Sequence, residues 1–258
     1  MRQPPRRERE HERYDHIGTT YSSHRRPDWR IAKIIDSALL DAVSVVDIGS
    51  GTGSYEPKGR RVVAVEPSRT MISQRPPHAA PVLQAVAERL PFPDLAFDSA
   101  LAVLTLHHWS DASRGLSEMA RVAHRQVILT WDPAVFARFW FVAEYLPDLA
   151  AADVRKATLE AVSNALNVTA IFPVLVPSDC TDGFGGAYWQ RPACYLDPGV
   201  RRAISGFHLC SEEAVSRALT RLAADLESGL WAERHQALCT LTQLDVGYRL
   251  IVASGKRK

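Results

Sequence analysis

Short blocks of consecutive apolar residues alternate with stretches whose apolar positions recur every three or four residues, and this rhythm fills the first half of the chain. Ile31, Ile34, Ile35, Ala38 and Leu39 fall on one helical face and predict a helix over residues 28–40. Apolar blocks predict strands at 43–48, 61–65, 82–86, 97–104 and 126–130, the fourth apolar enough to be buried on both faces. Helices are expected near 68–74 and over 113–123, where Leu116, Met119, Ala120 and Ala123 line one side. Strands and helices in this order imply a doubly wound parallel sheet with right-handed crossovers.

One interval breaks the rhythm. Only seven residues separate Gly53 from Arg61, with Pro57 and Gly59 among them. A crossover between parallel strands ordinarily takes about 10–12 residues or more, so one abbreviated helical turn is expected there. The second half changes character. Residues 133–145, 150–166 and 211–228 carry helical patterns, the last opened by Ser211 with Glu212 and Glu213, and 169–176 and 246–253 read as strands. Between them, 177–210 is rich in Asp, Gly, Pro and aromatic residues. The simplest architecture is α/β: a Rossmann-like, doubly wound sheet of seven strands, mostly parallel with an antiparallel last strand. Residues 14–258 form a single domain, and 177–240 form a helical and loop-rich cap inserted before the last strand, the natural place for a substrate lid.

Composition narrows the class without deciding it. With 258 residues, 46% hydrophobic and 23% charged, the chain suits one ordinary globular domain. A formal net charge of +2 gives no case for nucleic acid as the main partner. The basic residues concentrate in two tails, 1–13 and 256–258, which read as flexible solvated ends. No segment reaches the ~18 consecutive apolar residues of a membrane span, and no signal-peptide core is visible, so a cytoplasmic protein is expected. Cys180, Cys194, Cys210 and Cys239 lack CxxC spacing and histidine companions, and read as reduced thiols rather than metal ligands or a disulfide framework.

The chemistry begins at residues 45–53, Val-Val-Asp-Ile-Gly-Ser-Gly-Thr-Gly, with Glu66 ending the next apolar run. Glycines at alternate positions let main chain approach a ligand, and an acidic residue at the tip of the next strand can accept both hydroxyls of a ribose. A nucleoside-containing cofactor is implied. P-loop chemistry is excluded because no Gly-Lys-Ser/Thr follows. The dinucleotide pattern wants a third small residue where Ser54 stands, with Gly53 one place early, so the loop alone leaves NAD open. The chain contains no Tyr-x-x-x-Lys pair of the kind that donates a proton in reductases.

Three downstream blocks decide the cofactor: 87–94, Ala-Glu-Arg-Leu-Pro-Phe-Pro-Asp; Phe97-Asp98; and 104–111, Leu-Thr-Leu-His-His-Trp-Ser-Asp. With 46–53 and Val65-Glu66-Pro67-Ser68, they closely resemble the class I S-adenosylmethionine-dependent methyltransferases, and more narrowly the small-molecule branch that includes the ubiquinone and menaquinone enzymes. The resemblance covers about residues 14–132. It implies S-adenosyl-L-methionine as cofactor, with Gly49, Ser50, Gly51 and Gly53 along its methionine and ribose. Asp47 would help hold the methionine ammonium or its water, and Glu66, with Pro67 beside it, would take the ribose. The Ala87 backbone and Glu88 would face the adenine side, and the carbonyl near Leu104 would meet the ammonium. The stretch from Tyr14 to Tyr21, with Arg25 and Arg26 behind it, would fold over the cofactor; Tyr21 and Arg26 are its candidate contacts. Val86 departs from the family, which usually has an acidic residue there to accept from the adenine amino group.

Methyl transfer from a sulfonium is an in-line displacement governed by alignment and exclusion of water. A general base is needed only for an acceptor that arrives protonated. His107 and His108 follow the fourth strand at its carboxyl end, where open α/β sheets bind ligands. With an unperturbed pKa of ~6.5, His108 is the candidate base and His107 a substrate contact, though such a pair can also simply pack or cap a turn. Trp131 is a candidate substrate wall, and Asp132 before Pro133 reads as a helix N-cap. Tyr188 and Trp189 could stack on an acceptor or form the cap's aromatic core. Asp179 and Asp182 read most simply as loop formers, with a cationic acceptor or proton relay as the alternative. The reading is a metal-independent methyltransferase acting on an oxygen, nitrogen or carbon of a small molecule, with specialised-metabolite biosynthesis as a setting that fits it. The alternatives are a cofactor-binding module of the same fold and an NAD-dependent oxidoreductase.

Overall fold

The computed structural model describes residues 25–153 and 159–255. Helix α1 (Trp29–Ala38) begins where the Asp28 carboxylate accepts from the Arg30 amide, and its Ile31 and Ile35 enter the core. The chain then passes through β1 (Ser44–Ile48), β2 (Arg61–Val65), α2 (Arg69–Ser73), β3 (Val82–Leu83), β4 (Phe97–Val103), α3 (Ala112–Val122) and β5 (Ala123–Trp131). These five strands pair in parallel in the order β3-β2-β1-β4-β5. Every residue of β1 is buried, Ser44 and Asp47 included, as expected of a strand covered on both faces. Strand order reverses between β1 and β4, and the loops leaving their carboxyl ends diverge to open a crevice.

Several local expectations change: the third strand is only Val82–Leu83, and the strand expected over 169–176 runs over Leu166–Pro173. Residues 51–55 form hydrogen-bonded turns, with no helical turn before β2. The stretch 133–145 is a short helix, α4 (Pro133–Phe136), followed by a π-helical turn at Phe141–Tyr145. Phe136, Phe139, Trp140, Phe141 and Tyr145 are all buried, and five rings so close in sequence exceed one face of a regular helix. The widened turn brings them inward together.

Helices α5 (Pro147–Asp153) and α6 (Leu159–Ala165) lead to β6 (Leu166–Pro173), the outer strand of the sheet. Residues 174–247 then leave the sheet through β7 (Val176–Pro177), α7 (Pro198–Arg202), α8 (Glu212–Glu227), α9 (Leu230–Arg234) and β8 (Gln243–Leu244). Strands β7 and β8 pair antiparallel and close the base of this insertion. The chain returns as β9 (Tyr248–Gly255), which slots between β5 and β6 antiparallel to both. The sheet thus has seven strands with one running against the rest, the fold class expected.

Alternate strand residues feed two cores. Val46, Ala100 and Ile128 meet Leu116 and Met119 of α3 on one face. Val45, Leu101 and Leu250 join a second core that also contains Trp189, Tyr195, Leu222 and Trp231 of the insertion. The insertion is thereby anchored to the sheet by aromatic packing: Phe141 stacks on Tyr195 with ring centres 4.2 Å apart, and the Trp140 indole donates to the Trp189 carbonyl at 2.8 Å.

Candidate active site

The loop after β1 turns on three glycines with φ of +71°, +54° and +88° at Gly49, Gly51 and Gly53. A Cβ on Gly49 would lie 2.0 Å from Thr105 Oγ1, so this glycine lets the ends of β1 and β4 close together. A Cβ on Gly51 would meet no atom within 4 Å, because that face looks onto open space. The amides of Gly49 and Ser50 both donate to the Val65 carbonyl, at 2.8 and 3.2 Å. Glu66 is buried, accepting from the Gly51 amide at one oxygen (2.8 Å) and the Ser68 amide at the other (2.9 Å). The two amides fix the carboxylate at the tip of β2.

With no helix behind the loop, Arg75 supports it. Its guanidinium donates to Ser50 Oγ and the Gly51 carbonyl, both at 3.1 Å, and to the Ala80 carbonyl at 2.9 Å. It also pairs with Glu56, whose other oxygen accepts from the Ala80 amide at 2.8 Å. Neither residue is visible as a site residue in the sequence, since no spacing rule links 56 to 75; the only hint is a crossover too short to hold itself up. Asp47 lies beneath the same loop. Burial, reinforced by the nearby carboxyl of Glu56 and opposed by Arg75, pushes its pKa up to about 8.

These elements enclose a cavity of about 340 Å³, walled by Asp47, the 49–52 loop, residues 66–68, 85–89 and 103–105, and His108 to Ser110. Of the predicted cofactor contacts, Asp47, Gly49, Ser50, Gly51, Glu66, Pro67, Ala87, Glu88 and Leu104 all come together here. Glu88 also ties two walls together, accepting from Ser110 Oγ at 2.7 Å and the Asp111 amide at 3.0 Å. Gly53 is not on the wall; it faces Glu56 and shapes the turn. Arg26 is exposed and off the wall, and the neighbouring Arg25 takes the position instead. Tyr21 lies outside the described residues.

A second cavity of about 70 Å³ adjoins the first, and Arg25, Leu104 and His108 line both. Leu104 has φ of +50°, an uncommon conformation for a branched side chain, at the point where β4 opens into the site. The His107 and His108 rings lie 3.6 Å apart, and His107 meets the edge of Trp131 at 4.7 Å. His107 Nε2 lies 3.4 Å from Ser205 Oγ of the insertion. Apolar side chains, among them Phe136, Leu149, Phe184 and Ile204, complete the wall with Trp131. Tyr188 and Trp189 are absent from it. Trp189 is fully buried and donates to the Val176 carbonyl at 2.9 Å, while Tyr188 packs under the Arg191 guanidinium at 5.0 Å. Both serve the aromatic core. Asp132 caps α4, accepting from the Ala134 amide at 2.9 Å.

Comparison with known proteins agrees with this geometry. A family described as a methyltransferase domain matches residues 46–130. A solved structure from Anabaena variabilis, a candidate methyltransferase from an antibiotic biosynthesis pathway, superposes with a TM-score of 0.82 and 33% identity over 90% of this chain and 99% of that one. The chain belongs to the class I S-adenosylmethionine-dependent methyltransferases. Demethylmenaquinone methyltransferase of Mycolicibacterium gilvum is 33% identical over 114 residues, 43% of this chain and 50% of that enzyme. A tRNA (carboxymethyluridine(34)-5-O)-methyltransferase of Schizosaccharomyces pombe is 30% identical over 114 residues, again 43% and 50%. The chain thus spans about half the length of these curated relatives. S-adenosylmethionine is the methyltransferase cofactor, and the larger cavity fits it: an open glycine face, a fixed carboxylate at the tip of β2, and a buried acid beneath the loop.

Proposed function

We propose that this methyltransferase transfers a methyl group to a small, largely apolar acceptor seated in the second cavity, beneath the insertion acting as a cap. The supporting observation is that the two cavities meet at Leu104 and His108. An in-line displacement needs its nucleophile on the far side of the methyl from sulfur, which two adjoining pockets provide. When bound, S-adenosylmethionine supplies an activated methyl on a sulfonium. The chain's own residues do the rest. Glu66 takes the ribose hydroxyls, and the open face of Gly51 lets main chain approach. Asp47 and the Leu104 carbonyl serve the ammonium, and Ala87 with Glu88 the adenine side. His108, on both walls, is placed to receive a proton from a hydroxyl or amine acceptor, while His107 and Trp131 wall the acceptor.

The small volume and apolar lining of the second cavity favour a compact organic molecule over a nucleotide of tRNA, which would need a pocket for an extruded base and a basic track for its backbone. The test is a turnover assay with S-adenosylmethionine and a panel of phenols, quinols, amines and activated carbon acids. Formation of S-adenosylhomocysteine together with methylated product supports the reading. Binding without turnover across the panel favours a cofactor-binding protein, and turnover on tRNA alone overturns the small-molecule assignment.

A further inference from the structure

Asp182 belongs to the insertion, yet it is satisfied largely from outside it. Its carboxylate is completely shielded from solvent and accepts from Arg25 Nε at 2.6 Å, Tyr55 Oη at 2.9 Å and the Gly183 amide at 2.7 Å. Tyr55 ends the turn that follows the glycine loop and lines the cofactor cavity; its hydroxyl also accepts from the Asp28 amide at 3.3 Å. Arg25 lines both cavities. Phe184 and Gly185, immediately after Asp182 and Gly183, line the acceptor cavity. A second tie runs beside the first, since the Thr181 amide donates to the Asp28 carboxylate at 3.1 Å.

A buried carboxylate is tolerated only while its donors stay in place, and losing one leaves charge without compensation. The position of Tyr55 and the path of residues 181–185 are therefore energetically linked. A ligand that fixes the glycine loop fixes Tyr55, and through the shared carboxylate it fixes both Arg25 and the backbone carrying Phe184 and Gly185. The warrant is a continuous chain of hydrogen bonds, and such coupling acts equally in both directions.

We propose that Asp182 is a positioning residue that couples the two cavities, so that filling the cofactor cavity shapes the acceptor cavity. This rests on the reading of the larger cavity as the cofactor site. The test uses the full chain with S-adenosylhomocysteine as probe, combining calorimetry with hydrogen exchange of peptides covering 183–187 and 203–209. In the wild type, saturating probe slows exchange in both peptides. In Asp182→Asn and in Tyr55→Phe that slowing is lost even at saturation, and Asp182→Asn binds the probe about tenfold more weakly, the size of one charged hydrogen bond. Tyr55→Phe removes one hydroxyl and leaves the Arg25 pair in place, so it remains informative if Asp182→Asn folds poorly. Probe-dependent slowing that persists in both variants overturns the coupling, even if their baseline exchange is faster, as does a wild type that binds the probe without slowing. A wild type that does not bind the probe overturns the cofactor reading itself.

Discussion

Gly49 and Gly51 stand two residues apart in one loop, and their replacement by alanine should fail in different ways. At Gly49 the new methyl would lie on Thr105, and the backbone is left-handed. Gly49→Ala should cost about 2–4 kcal/mol of stability, read as a lowered thermal midpoint. At Gly51 only the backbone penalty of about 1–2 kcal/mol applies, because the methyl enters open space. Gly51→Ala should therefore fold but lose on the order of tenfold or more in S-adenosylhomocysteine affinity by calorimetry; undiminished binding would mean the cofactor does not lie on that face. Asp47 makes a different prediction. Its carboxyl titrates near 8 in the fold against an ordinary value of 3.8, so between those values the native state holds the extra proton. Its contribution to stability is complete below about pH 4 and is lost as pH rises through about 8. A cation bound beside it favours ionisation, so cofactor binding at pH 7 should release up to one proton. That proton should vanish at pH 9 and in Asp47→Asn, as measured in buffers of different ionisation enthalpy.

Among the elements, the link from β1 to β2 carries no helix and leans on the Arg75 side chain. Arg75 and Glu56 are 5% and 11% exposed, so their pair is little screened by salt. Arg75→Met should destabilise the fold by about 3 kcal/mol, lower cofactor affinity, and show both effects undiminished at high salt. That strut also marks the limit of what the chain reveals before folding. The strands of the first half announce themselves as apolar runs, and the glycine loop and Glu66 as local patterns, because each depends on neighbours in sequence. Arg75 and Asp182 are ordinary loop residues by pattern, since their partners lie 19 and 127 positions away at Glu56 and Tyr55. Tyr188 and Trp189 mislead for the opposite reason: aromatics in a loop-rich stretch look available for a ligand until packing assigns them to the core. Arg26 and Arg25 differ by one place, which no pattern resolves where regular structure is absent.

At the scale of the whole molecule, sheet and insertion share a hydrophobic core, with Leu101 and Leu250 of the sheet packed among Trp189, Tyr195 and Trp231. The insertion should therefore not melt separately: a calorimetric scan should show one transition, moved upward without splitting by S-adenosylhomocysteine. A distinct early transition would make the insertion an independent unit. The turns at 51–55 have a consequence of another kind. A glycine loop that runs into a helix presents that helix's electropositive end to a pyrophosphate. Here no such end is offered, and the Arg75 side chain holds the loop instead. A pyrophosphate would find no helix terminus to sit on, so the loop suits a nucleoside ligand that carries none.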